Sequence, residues 1–91
     1  MEAERKTIGE FIRPDGVSSG KVEIYVTEIV RGQGIQGLSD THGWAPGVSW
    51  KWAAPILVGD MKCDLVYDGK RIPVLIAGKG DEELTLRFER A

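Results

Sequence analysis

Short runs in which apolar and polar residues alternate make up most of this chain. The clearest extends from Lys21 to Val30, where the apolar residues at positions 22, 24 and 26 share one face and Lys21, Glu23 and Thr27 occupy the other. This two-residue period is typical of a β-strand with one buried face, and no window shows the 3.6-residue period of an amphipathic helix. Glu28 interrupts the alternation, which predicts a bulge or the emergence of the strand into solvent there.

The best-specified unit is a hairpin from Met61 to Ala77, closed by Asp68-Gly69, a dipeptide typical of two-residue turns. If Tyr67 pairs with Lys70, the apolar side chains of both strands share one face, and a slip of one residue would destroy that agreement. The remaining predicted pairs are Leu65 with Ile72, Cys63 with Val74, and Met61 with Ile76. Pro73 then lies opposite Asp64, and because proline has no amide hydrogen we expect an open strand edge near Pro73, through which a homo-oligomer could form.

Further runs complete the predicted sheet. One extends from Thr7 to Arg13 and ends at the turn Pro14-Asp15-Gly16, a short one covers Val48 to Trp52, and the last alternates from Leu84 onward. Five to six antiparallel strands predict an all-β fold, a small antiparallel barrel or a compact sandwich, in one domain covering residues 1–91. The barrel is favoured because closure removes exposed strand edges. The predicted core consists of Val22, Ile24, Val26, Met61, Cys63, Leu65, Ile72, Val74, Ile76, Leu84, Leu86 and Phe88.

The segment from Gly32 to Gly59 differs in composition from the rest of the chain. Its 28 residues carry only two formal charges, Asp40 and Lys51, but hold six of the twelve glycines, all three tryptophans and the only histidine. A connection of this length is uncommon in a small domain unless it has a function or structure of its own. We therefore expect residues 32–59 to contain the recognition surface.

The candidate binding residues within this segment are Trp44, His42, Asp40, Trp50 and Trp52. Trp44 lies between Gly43 and Ala45-Pro46-Gly47, a turn context in which we expect a partly exposed indole that could contact a partner. Trp50 and Trp52 alternate with Ser49 and Lys51, so on a strand they would face the same way as Val48 and could simply be core residues.

Candidate chemistry elsewhere is sparse. Gly32-Gln33-Gly34-Ile35-Gln36-Gly37 has the G-x-G-x-x-G spacing of a dinucleotide-binding turn, but no clear amphipathic helix follows it. Asp40 and His42 could supply two metal ligands at most, and Cys63 falls on an inward face where a nucleophile is poorly accessible. We therefore expect no cofactor, no bound metal and no catalytic residues.

Composition narrows the functions further. A net charge of −2 and the absence of a long apolar stretch argue against phosphate-driven nucleic-acid binding and against a membrane span. The charged start of the chain leads into no apolar region, so we expect no secretory signal and a cytoplasmic protein.

Three functions remain open. The favoured one is a non-enzymatic binding module for a protein or small-molecule partner, with residues 32–59 as its recognition surface. The first alternative is an oligonucleotide-binding barrel using Tyr25, Trp44, Lys51, Lys62, Lys70 and Arg71. The second is a small enzyme or metal-binding protein that depends on His42.

Overall fold

The computed structural model describes residues 2–30, 39–79 and 85–91. Their elements in chain order are β1 (Glu2–Ile12), β2 (Ser18–Val30), β3 (Ser39–Ala45), α1 (Trp50–Leu57), β4 (Lys62–Tyr67), β5 (Lys70–Lys79) and β6 (Thr85–Arg90). All neighbouring strands are antiparallel, and the order β1-β2-β3-β6-β5-β4 closes back onto β1. The predicted all-β class is confirmed, and the six strands form a closed barrel rather than a sandwich.

The β4–β5 hairpin has the predicted register. Tyr67 pairs with Lys70 and Leu65 with Ile72, and the amide of Ile76 donates a hydrogen bond of 2.7 Å to the Met61 carbonyl. Asp68 and Gly69 have φ angles of 51° and 73° respectively, as a turn with two left-handed residues requires.

The predicted open edge lies on the β6 side of β5. Pairing with β6 begins at Val74, and the Ala91 amide donates to the Pro73 carbonyl. Within the described part of the chain, Lys70 to Ile72 therefore have no paired strand on that side.

The barrel interior contains most of the predicted core. The fully buried side chains include Phe11, Ile24, Leu65, Ile76 and Leu86. Val22 is only partly buried and packs against this cluster, whereas Leu84 lies outside the described residues. The predicted list omitted buried residues that the structure adds: Phe11, Ala45, Val48, Trp52, Ala53, Ile56 and Tyr67.

The placement of Met61 in the core was wrong, since this residue is 38% exposed. Its φ angle is 56°, and its amide donates to the Ile56 carbonyl at the end of α1. A left-handed residue interrupts the alternation of side chains between the two faces of a strand. The backbone of Met61 thus continues the hairpin pairing while its side chain turns outward.

The predicted strand at Val48 to Trp52 was also wrong, because Trp50 begins helix α1. The buried residues of α1 are Trp52, Ala53 and Ile56, and the helix packs against β2 and β5. Alternation over three apolar positions fits a strand, but burial at i, i+1 and i+4 fits one face of a helix. Because Trp50 and Trp52 are 200° apart on a helix, they no longer share a face.

The strand β3 was not predicted, because its sequence lacks apolar alternation. Thr41 and Ala45 are buried, and Gly43 lies between them on the same inward face. A Cβ atom on Gly43 would lie 2.0 Å from the Tyr25 carbonyl oxygen and 2.8 Å from Cζ of Phe88. Only glycine permits this close approach of β2, β3 and β6.

Two details of β2 also differ from the prediction. Pairing continues without a register shift through Glu28, so the predicted bulge is absent there, although the Glu28 side chain is 32% exposed; the irregularity of this strand pair lies between Glu10 and Ile12 of β1. Thr27, predicted to face solvent, is only 5% exposed. Its neighbours Glu4 and His42, on the strands at either side, are larger and flank this short side chain.

Candidate functional site

A continuous row of side chains crosses the outer face of the barrel. Strand register places Lys6, Tyr25, Trp44, Arg87 and Ala77 opposite one another, on β1, β2, β3, β6 and β5 respectively. The row therefore runs from a cation through two aromatic rings to a second cation and then to a small apolar residue. We call it the aromatic row.

Trp44 is held in this row by stacking against Tyr25. The two ring centroids are 4.2 Å apart, and the planes are inclined by 8°. The prediction that Trp44 lies in a turn was wrong, since Trp44 belongs to β3, but its side chain is only partly buried. Cross-strand aromatic pairs of this kind stabilise a sheet by about 0.5–1 kcal/mol.

A second row lies beside the first and contains His42, Glu89 and Leu75. Together the two rows border a groove of about 640 Å³ over β6, open to solvent on the outside of the barrel. We call it the outer groove. It is lined by His42, Gly43, Asp60, Met61, Leu75, Ile76, Ala77, Arg87, Phe88 and Glu89.

The lining of the outer groove is largely apolar but carries both signs of charge. Arg87 and Glu89 rise from β6, and Asp60 borders the groove from the turn that follows α1. Among the described residues, none of these three charged groups has a hydrogen-bond or ion-pair partner. Their polar groups are therefore available to a ligand.

Charged residues elsewhere on the barrel are mostly neutralised within the chain. Arg71 donates to Asp64 at 2.7 Å, and Arg13 forms a two-point contact with Asp15. The ion pair with Arg13 holds the pKa of Asp15 below its usual value. The charges of the outer groove differ in this respect from those of Arg71 and Arg13.

A separate polar cluster lies on the inward side where β1, β2 and the β4–β5 hairpin meet. Arg5 forms an ion pair with Asp68, and Glu28 accepts hydrogen bonds from the Tyr67 hydroxyl at 2.6 Å and from Lys70 at 3.2 Å. The bond from Tyr67 is the main reason that the pKa of Glu28 is lowered. Two cations and two anions compensate one another here, so this cluster has no net charge to offer a ligand.

The five predicted site residues do not form one surface. His42 lines the outer groove, and Trp44, two positions further along β3, is the cross-strand neighbour of the lining residue Arg87. Asp40 also belongs to β3, paired with Ile29.

The other two tryptophans of the predicted site lie on α1 and have opposite environments. Trp50 is 60% exposed, whereas Trp52 is 7% exposed and donates its indole N–H to the Val17 carbonyl at 2.9 Å. Trp52 also packs against Phe11, with ring centroids 6.1 Å apart. Trp52 is thus a core residue.

The residues that sequence reasoning missed come from the other wall of the groove. Leu75, Ala77, Arg87 and Glu89 lie on β5 and β6, far along the chain from His42. The alternation of β6 had indicated that Arg87 and Glu89 face outward. No local signal indicated that β6 pairs with β3.

The described residues offer little for catalysis or metal binding. No group of three His, Cys, Asp or Glu side chains among them could hold a metal ion. Burial raises the pKa of the Cys63 thiol to about 12, so that this side chain stays protonated and unreactive. The G-x-G-x-x-G motif at residues 32–37 lies outside the described residues.

The cations named for oligonucleotide binding are dispersed. Lys70 and Arg71 are engaged with Glu28 and Asp64, and Lys51 lies on α1 rather than beside the aromatic row. A stacking platform for bases needs cations along one groove to hold the phosphates. Lys62 and Arg71 line one pocket, but it is a different pocket from the outer groove, and none of the four cations lines that groove.

Comparisons with known proteins add no relative. No protein-family model matches the chain, and neither the search of curated proteins nor that of solved structures returned a match. Across residues 2–30, 39–79 and 85–91, no helix has the length and apolar character needed to cross a membrane.

Proposed function

We propose that this protein is a non-enzymatic binding module whose ligand site is the outer groove. The observation that carries the proposal is the coincidence of a concave, largely apolar surface with charged groups that have no partner among the described residues. Binding, rather than catalysis, is favoured because the described residues that line the groove include no serine, threonine, cysteine or lysine that could act as a nucleophile, and Cys63 is buried.

The dimensions of the groove suit a small molecule. Its volume of about 640 Å³ falls within the range of roughly 300–1,000 Å³ that is usual for ligand pockets. Met61, Leu75 and Ala77 supply the apolar contacts, while Arg87 and Glu89 supply directional polar groups. Apolar walls with a few free polar groups are the combination that ligand sites use to join affinity with orientation.

The proposed site modifies the expectation drawn from the composition of residues 32–59. His42 and Gly43 come from that segment, but the rest of the groove lining comes from β5, β6 and the turn before β4. The segment therefore contributes one wall of the proposed site. Trp50 and Trp52 are outside it.

The proposal can be tested by mapping a library of small fragments onto the 15N-labelled protein by NMR. We expect the amide signals of β6 and of residues 75–77 to shift together. Ala77→Phe should abolish these shifts, because Ala77 lines the groove and a phenyl ring would fill it. Val66→Phe is the matched control, since Val66 points outward from β4, between Glu10 and Arg71.

Shifts that cluster elsewhere, or that survive in the Ala77→Phe variant, would contradict the proposed site. A library with no binder at β6 would contradict it as well.

A further inference from the structure

We infer that the outer groove binds a planar aromatic group that carries a carboxylate. The ring would stack on the free face of Trp44, and the carboxylate would pair with Arg87. This inference rests on the proposed function, because it assigns the ligand chemistry of the same groove.

Tyr25 stacks on one face of the Trp44 indole. Tyr25 is the neighbour of Trp44 on β2, so the stacked ring covers the indole face that is directed toward that strand. The opposite face is on the side of β6, where the cross-strand neighbour Arg87 lines the groove. No ring or cation of a described residue covers that second face. A planar ligand group would therefore extend an existing stack of two rings to three.

Arg87 is placed to hold the carboxylate of the ligand. It is the direct cross-strand neighbour of Trp44 on the side of the free face, and it lines the groove. Lys6, the cation at the opposite end of the aromatic row, is already paired with Glu23 at 3.4 Å. Arg87 is thus the cation of the row that remains available, and a planar guanidinium matches a carboxylate with two parallel hydrogen bonds.

The groove can accept a ligand of only limited negative charge. Glu89 and Asp60 also line it, and both are free of described partners. One carboxylate beside Arg87 is compensated, whereas a phosphate monoester carries roughly 1.5–2 negative charges at neutral pH. Repulsion by Glu89 therefore favours a carboxylate over a phosphate monoester on the same ring.

Four probes test the ring, the negative charge and the type of anion separately. They are indole-3-acetate, its neutral analogue indole-3-acetamide, the non-aromatic cyclohexylacetate, and phenyl phosphate. Dissociation constants would be measured by NMR titration, following the backbone amide signals of β6 and of residues 75–77, which every variant retains. We expect indole-3-acetate to bind about tenfold more tightly than the amide, because its carboxylate accepts charge-assisted hydrogen bonds from Arg87. It should also bind more tightly than cyclohexylacetate and phenyl phosphate.

Variants assign each contribution to a residue. Arg87→Gln should remove the preference for indole-3-acetate over the amide, and Trp44→Leu should remove its preference over cyclohexylacetate. Glu89→Gln should reduce the preference over phenyl phosphate. Arg71→Gln is the matched control, because Arg71 is an exposed arginine of β5 that pairs with Asp64 and lies outside the groove.

The outcomes for the ligand class and for the site itself are distinguishable. If the amide binds as tightly as the acid, or if Arg87→Gln has no effect, the inference is overturned while the groove remains a binding site. The same holds if other fragments bind at β6 and none of the four probes does. If no fragment of any kind binds there, the proposed function fails too.

Discussion

The indole N–H of Trp52 donates a hydrogen bond of 2.9 Å to the backbone carbonyl of Val17, which ties helix α1 to the loop between β1 and β2. The Arg13 amide, one residue after β1 ends, also donates to the Val17 carbonyl, at 3.0 Å. One carbonyl oxygen thus accepts from the loop backbone and from the helix. The helix is therefore part of the barrel's packing rather than an appendage.

Trp52 and Trp50 should respond very differently to truncation. Trp52→Ala removes a buried ring and leaves a cavity beside Phe11, so the free energy of unfolding should fall by about 3–5 kcal/mol. Trp50→Ala, two residues away at an exposed position, should change it by no more than about 0.5 kcal/mol. Urea unfolding of both variants measures this difference. Equal losses would contradict the assignment of residues 50–57 to a helix with one buried face.

Gly43 should tolerate no side chain. Gly43→Ala would place a Cβ atom against the Tyr25 carbonyl and the Phe88 ring, so we expect a loss of about 1–3 kcal/mol from overpacking. Gly47→Ala is the control, because nothing lies within 4 Å of a Cβ atom at that position. Thermal unfolding followed by circular dichroism would compare the two. A Gly43→Ala variant as stable as the control would mean that β2 and β3 are not this close.

Gly69 should be sensitive for a different reason. A Cβ atom there would meet nothing within 4 Å, but the φ angle of 73° is strained for an L-residue. Gly69→Ala should therefore cost about 1–2 kcal/mol from backbone strain alone. Gly69→Asn should cost less, because asparagine adopts the left-handed conformation more readily. If alanine and asparagine have the same effect on the midpoint of urea unfolding, the turn geometry is wrong.

Stability should decline in acid partly through Glu28. Its pKa is held below the ordinary value of 4.5, chiefly by the hydrogen bond from Tyr67. A depressed pKa in the folded state means that the stabilisation is complete above the unfolded-state pKa and is lost as the pH falls through the folded-state value. Glu28→Gln should therefore lower the free energy of unfolding at neutral pH, and that free energy should then fall less between neutral pH and about pH 3.

The acid response should be reduced in Glu28→Gln rather than abolished. The pKa of Asp68 is also lowered, mainly by the hydrogen bond from Arg5, and this group continues to titrate. Urea unfolding at both pH values, with Glu23→Gln as the exposed control on the same strand, measures the contribution. An unchanged pH dependence in Glu28→Gln would contradict the link between Glu28 and Tyr67.

Cys63 should resist alkylation in the folded protein. Its thiol is 5% exposed and its pKa is raised to about 12 by burial, so almost no thiolate forms even near the ordinary pKa of 9.0. Iodoacetamide at that pH should modify Cys63 much more slowly in the native state than in guanidinium chloride. Mass spectrometry over time gives both rates. Similar rates would show that Cys63 is not inside the barrel.

Local features of the sequence determined the class of fold and the register of one hairpin. The alternation at Ile24 and Val26, and that along β4 and β5, needs no knowledge of distant residues, because a two-residue period places side chains on alternate faces of a strand. The Asp68-Gly69 turn joins adjacent strands, so the pairing register followed from the turn. The outward orientation of Arg87 and Glu89 followed from the alternation of β6.

Tertiary structure decided strand β3, helix α1 and the outer groove, because the contacts that form them join segments far apart in the chain. Residues 39–45 have no apolar alternation and are a strand because Gly43 and the small buried residues beside it fit between β2 and β6. Trp50 and Trp52 are in a helix because the packing of Trp52 against Phe11, and its bond to Val17, outweigh a short pattern that also fits a strand. The outer groove exists only because β3 pairs with β6, which brings His42 and Trp44 beside Arg87 and Glu89. Pairing between strands so distant in sequence depends on closure of the whole barrel, which no single segment of the chain specifies.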